Sequence, residues 1–122
     1  MQRDIDLIRQ ILIEVERKKS PMGLLDIEVD NFSKEQISYH VKLLAEAGYL
    51  DAKDLITKDG FEWKPVGLTW LGHEFLDAAR DNTVWNKAKK SIGSKLASTS
   101  IEVIKALLIS LCKQGLGIED HS

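Results

Sequence analysis

The sequence predicts a mainly helical α+β fold. Three observations carry that prediction. Apolar residues recur at helical spacing in several separate stretches, residues 24–29 alternate apolar with polar, and an Asp-Gly link at 59–60 joins two short β-prone runs. A chain of 122 residues is most economically one domain, large enough to bury roughly two-thirds of its unfolded surface.

Residues 4–19 read as an amphipathic helix in which Ile5, Ile8, Leu12 and Val15 make the stripe and Ile11 widens it. Asp4 and Asp6 suit its positive end, and Arg17, Lys18 and Lys19 its negative end. Ser20-Pro21, with Gly23 following, stops it. Leu25, Ile27 and Val29 alternate with Asp26 and Glu28, the pattern of a strand at 24–29 with one buried face. Ser33 and Gln36 form a capping-box pattern that opens a second helix, 33–47. Ile37, Val41, Leu44 and Ala45 make its inner stripe. Glu35, Ser38, Tyr39, Lys42 and Glu46 fall on the other side, and Gly48 ends the helix. Tyr49 to Ile56 and Phe61 to Leu68 read as a hairpin, with Pro65 confined to an edge or to a place needing no ladder donor.

Thr69 caps a helix at 70–80 through Trp70, Leu71, Phe75, Leu76 and Ala79, and Thr83 recaps a continuation through Trp85 and Ala88. A last helix starts near Ser98 to Ser100 and runs to about Leu116. The expected core gathers Ile8, Leu12, Val41, Leu44, Leu71 and Phe75. Residues 1–80 make this core and 81–122 a helical extension, packed on it or used for pairing.

The run from Ser38 to Leu50, SYHVKLLAEAGYL, resembles the recognition helix of bacterial winged-helix repressors of the arsenic-repressor type. Leu68-Thr69-x-x-Gly72 resembles the entry to the helix after the wing in many such proteins. Nearly the whole chain, and most of all TWLGHEFLDAARDNTVWNKAK at 69–89, is similar to a family of small hypothetical proteins from bacterial and prophage genomes. These resemblances imply a winged helix-turn-helix-like core with a hairpin wing and extra C-terminal helices, of bacterial or phage origin. They imply no activity. One feature departs from the repressor pattern: only Asp30-Asn31-Phe32 separates the strand from Ser33, so the supporting helix is missing or reduced to a turn.

Catalytic signatures fail one by one. His73-Glu74 begins like H-E-x-x-H, but its fifth residue is Asp77. His40, His73, His121 and Cys112 have no metal-ligand spacing, and no nucleophile elbow, phosphate loop or dinucleotide fingerprint is present. His40 reads as a helix-face histidine, and Trp63, Trp70 and Trp85 as core rather than a stacking platform. No enzyme, metal or cofactor is expected. The longest apolar stretch, Val103 to Cys112, holds Lys105 and is too short to span a membrane. The N-terminus lacks the apolar region of a signal peptide, and a lone cysteine fits a reducing cytoplasm.

The expectation is a non-enzymatic, cytoplasmic binding protein: a DNA-binding regulator, with a protein-interaction module as the alternative. As a DNA reader the second helix and wing would use Lys34, Ser38, Tyr39, Lys42 and Lys58 on double-stranded DNA. Against this, Glu35 and Glu46 offset Lys34 and Lys42, and the net charge is −2. The one basic segment holds Lys87, Lys89, Lys90 and Lys95. Ile101, Ile104, Leu107, Leu108, Leu111 and Cys112 make an apolar face too broad for one small core, which predicts a homodimer through the last helix.

Overall fold

The computed structural model describes residues 1–58 and 60–115. The order is α1 (Ile5–Glu16), α2 (Lys34–Glu46), β1 (Leu50–Asp54), β2 (Trp63–Leu68), α3 (Trp70–Ala79), α4 (Asn82–Ile92), a 3-10 segment (Gly93–Ser98) and α5 (Ile101–Gly115). This is the expected α+β, winged-helix-like arrangement. It gathers into two compact units that divide inside α3, between Glu74 and Phe75.

In the first unit, Asp4 caps α1 by accepting from the Leu7 amide at 3.1 Å. The buried stripe is Ile5, Leu7, Ile8, Ile11, Leu12 and Val15, which faces α2 and β2. The helix is shorter than 4–19. Lys18 lies beyond it and sends its ammonium to the carbonyls of Gly23 and Val66. The capping box forms as expected: the Ser33 amide donates to Gln36 Oε1 at 2.8 Å, and the Gln36 amide to Ser33 Oγ at 3.1 Å. Gly48, at φ +85, takes the left-handed conformation that ends α2.

The expected strand at 24–29 does not form. Leu25, Ile27 and Val29 do turn inward and Asp26 and Glu28 outward, but a single backbone bond ties the segment to β2, from the Leu25 amide to the Pro65 carbonyl at 2.9 Å. The reason is in the partner. Proline has no amide hydrogen to return, so the reciprocal bond that would extend an antiparallel ladder is missing. The segment ends in a turn closed by the Phe32 amide on the Val29 carbonyl, with Asn31 at φ +73. Among the described residues no helix lies between α1 and α2, so the supporting helix is a turn.

β1 and β2 pair antiparallel, Leu50 opposite Leu68 and Asp54 opposite Trp63, with an irregularity between Asp51 and Ala52 that leaves Val66 unmatched. Pro65 faces Ala52 at that irregularity and is buried. Both strands are shorter than expected, because Leu55, Ile56, Phe61 and Glu62 fall outside them.

Two expected core positions are corrected. Leu71 is 42% exposed and Trp70 79% exposed. Leu71 lies over Gly48, which has no side chain to cover it, and Trp70 points about 140° around the helix from Phe75. The other expected core residues, Ile8, Leu12, Val41, Leu44 and Phe75, are buried.

In the second unit Phe75 meets Trp85 edge-on, with ring centroids 6.4 Å apart. Asp81, rather than Thr83, caps α4 by accepting from the Val84 amide at 3.0 Å. α4 packs on α5, where Ile104 and Leu108 are buried, and the Cys112 thiol donates to the Ala78 carbonyl at 3.4 Å. Among the described residues no helix is long and apolar enough to cross a membrane. The expected end of the last helix at Leu116 lies outside them.

Candidate functional site

The first unit holds an open cavity of about 550 Å³. Its walls are the extended segment 25–28, the first turns of α2 and the hairpin from the wing to Pro65. Leu25, Ile27, Ile37, Phe61 and Pro65 give it an apolar bed, and Ser38, Lys34, Glu28 and Trp63 bring polar groups.

Ser38 is where the sequence reading of α2 needs correcting. It was placed on the outer side with Tyr39 and Lys42, but it is 6% exposed and belongs to the cavity wall. Residues distant in sequence cover it, which a helical wheel does not register. Its hydroxyl makes no hydrogen bond among the described residues. Trp63 Nε1 is buried with no hydrogen-bond partner. A donor left in that state costs about 1–3 kcal/mol.

The charges around the cavity are arranged unevenly. Lys64 bridges Asp26 at 2.6 Å and Glu62 at 3.3 Å. The hydrogen bond and charge of Lys64 hold the Asp26 carboxyl below its usual range, and the bonds from Asp26 and Glu62 raise Lys64. Lys34 and Glu28 make no ion pair among the described residues. The Asp26–Lys64 pair is thus a second tie between segment 24–29 and β2.

A pH dependence follows. Asp26, depressed in the fold, stabilises above its unfolded value near ~3.9 and loses that contribution as pH falls through its lower folded value. Lys64, raised, contributes fully below ~10.4 and loses its contribution as pH rises through its higher folded value. The Asp26 carboxylate is 83% exposed, so the effect is local loosening rather than unfolding. The protection of the Leu25 amide, its exchange relative to an unprotected amide at the same pH, should fall below pH ~4, and Asp26→Asn should show the lower protection already at neutral pH. Equal protection of Leu25 in both proteins would remove the tie.

The other residues expected to read DNA are placed as follows. Lys34 is exposed at the start of α2, Tyr39 is half-buried with its ring edge-on to His40, and Lys58 is exposed in the wing. Lys42 is 35% exposed and pairs with Glu46 at 3.5 Å. Only Lys34 joins Ser38 at the cavity. In α5, Ile104 and Leu108 are already buried, while Ile101, Leu107, Leu111 and Cys112 are partly covered and Val103 is 57% exposed. His40 is buried and holds two backbone groups, and His73 is exposed. Among the described residues no group of three acidic, histidine or cysteine side chains could hold a metal.

These features define an α+β, winged-helix-like protein with a mixed polar and apolar cavity beside its wing. The chain belongs to the family described as "Hypothetical protein (DUF2513)", which it matches over residues 2–98. It is also 39% identical over 117 residues to an uncharacterized protein of Haemophilus influenzae, covering 95% of this chain and 99% of that one. No solved structure matches it significantly.

Proposed function

We propose that this is a non-enzymatic binding module of bacterial or prophage origin whose first unit docks a protein or peptide partner. The charge of that unit carries the reading. Residues 1–74 hold ten basic and fourteen acidic side chains, a formal −4. A protein gains most of its non-specific affinity for DNA by neutralising phosphates with Lys or Arg and releasing counterions. Of the five residues proposed to read DNA, Ser38 is buried and Lys42 is paired, which leaves Lys34 and Lys58 as exposed cations.

A second reading, a DNA-binding regulator, draws support from α4 and the segment after it, where Lys87, Lys90 and Lys95 are exposed. The two readings separate in a titration of labelled random duplex DNA at low salt. The module reading expects the triple variant Lys34→Glu, Lys42→Glu, Lys58→Glu to leave any residual binding unchanged. Micromolar affinity that falls steeply with salt and vanishes in the triple variant would establish the α2–wing DNA reader instead.

Pairing of two copies through α5 is part of the same proposal. Val103, Leu107 and Leu111 are among the α5 residues left partly open for it, and three side chains make a patch smaller than the roughly 800 Å² per partner of a standard stable interface. Self-association is therefore expected only at hundreds of micromolar, and Val103→Glu should abolish it. Sedimentation showing a monomer throughout that range would remove the dimer.

A further inference from the structure

We infer that His40 is a pH-operated latch on the start of α1: protonating its ring releases the Asp4 backbone and uncaps the helix. The latch does not depend on what the first unit binds. His40 is 2% exposed. Both ring nitrogens are engaged: the Asp4 amide donates to Nε2 at 2.8 Å, and Nδ1 stands 2.7 Å from the Gln36 carbonyl. A carbonyl only accepts, so Nδ1 carries a hydrogen; an amide only donates, so Nε2 carries none. The fold is built around the neutral ring in one tautomer.

Histidine is the side chain whose charge ordinarily changes between pH ~5 and ~8. A second ring proton goes to Nε2, the nitrogen whose lone pair holds the Asp4 amide. Donor then faces donor, and the bond between α2 and the start of α1 turns repulsive. A buried charged donor left unmet costs more than a neutral one, so the new N–H draws an acceptor to itself. The Asp4 carboxylate belongs to the residue whose amide is displaced, and its Oδ1 accepts from the Leu7 amide at 3.1 Å. If it turns to the ring, Leu7 loses its cap. If it does not, the Asp4 backbone moves away from the ring and takes the cap with it. Both routes loosen the first turn of α1, where Ile5 and Leu7 enter the core. The latch is closed at high pH and opens as pH falls.

The other titratable groups of the elements packed here are placed as follows. Arg3 and Asp6, flanking Asp4, are exposed. On α2, Tyr39 lies edge-on to the His40 ring with centroids 5.8 Å apart, Lys42 pairs with Glu46, and Lys34 and Glu35 are exposed in the first turn. Tyr49, between α2 and β1, is buried. On β1, Asp51, Lys53 and Asp54 are exposed, and on β2 Lys64 is held by Asp26 and Glu62. Asp4, bonded to the ring through its own amide, is the carboxylate placed to respond to its charge.

The test is NMR of the full chain between pH ~8 and ~5, a window that stops above the ordinary carboxyl range. The ring resonances of His40 report its protonation, the Asp4 amide shift reports the bond, and Leu7 protection, relative to an unprotected amide at the same pH, reports the cap. All three should change with one midpoint. Leu7 protection should fall roughly tenfold, the loss expected for one hydrogen bond, while that of Leu108 in α5 stays constant. His40→Gln offers an acceptor at every pH, so its Leu7 protection should be flat over the same window. His73→Gln, at an exposed position, should leave the transition in place. The latch is overturned if His40 stays neutral throughout, if it titrates while Asp4 and Leu7 do not change, or if His40→Gln shows the same fall. Should that variant not fold, the agreement of the three midpoints in the unsubstituted chain decides.

Discussion

Gly72→Ala is expected to destabilise the chain by about 4 kcal/mol, the upper range for a single core substitution. A Cβ at position 72 would stand 1.9 Å from the Tyr49 carbonyl oxygen and 3.1 Å from its carbon. That oxygen cannot step aside freely, because it accepts the Thr69 amide at 3.3 Å while the Tyr49 amide is held by the Leu44 carbonyl at 2.9 Å. Thr69 fixes the same junction twice, donating its hydroxyl to the Gly48 carbonyl and accepting from the Gly72 amide at 3.2 Å. Alanine is the better helix former by about 1 kcal/mol, but that gain is overwhelmed by moving α3 off the hairpin. Gly67→Ala is the control, since nothing lies within 4 Å of a Cβ there. Urea unfolding of the two variants decides the matter. If Gly72→Ala were no less stable than Gly67→Ala, α3 would not be seated on Tyr49 as described.

This junction also explains why Leu68-Thr69-x-x-Gly72 was legible in the sequence. The threonine is the cap and the glycine the close approach, two local needs that a short motif can record. Helices were legible for the same reason: the stripe of α1 and the Ser33–Gln36 box depend on neighbours within a turn or two. What escaped was set by distant partners. The alternation at 24–29 reports burial correctly, but whether a ladder forms depends on Pro65, about forty residues away. Ser38 sits on the polar side of a helical wheel and is buried because segment 25–28 and β2 lie over it. The Asp26–Lys64 tie and the unpartnered Trp63 indole have no sequence signature at all, since each arises from a pairing across the unit.

The candidate site is therefore the part of the molecule least visible beforehand. Sequence spacing points to the outer face of α2, with Ser38, Tyr39 and Lys42 on it and Lys34 at its start. The structure splits that face: Lys42 turns to Glu46, while Ser38 and Lys34 turn to a cavity that also contains carboxylates. Asp26, Glu28 and Glu62 stand at the same opening.

His40→Ala should cost about 4 kcal/mol, the sum of a cavity and a stranded donor. Read from sequence, His40 was a helix-face histidine; in the structure it is 2% exposed and joins α2 to the start of α1. The Asp4 amide donates to its Nε2 at 2.8 Å, and its Nδ1 meets the Gln36 carbonyl at 2.7 Å. A backbone amide only donates and a carbonyl only accepts, so Nδ1 carries the hydrogen and Nε2 is the acceptor. The Asp4 amide has no helical acceptor of its own, because it lies ahead of the first turn of α1. Asp4 is also the α1 cap, so freeing its backbone loosens the side chain that holds the Leu7 amide. His40→Gln can place an amide oxygen near the Nε2 position and should recover about half of the loss. His40→Lys, with donors only, should recover none. Thermal unfolding of the three variants ranks them, and exchange protection at Leu7 locates the damage. Equal stability of the glutamine and lysine variants would show that the acceptor at this position contributes nothing and that His40 is held by packing alone.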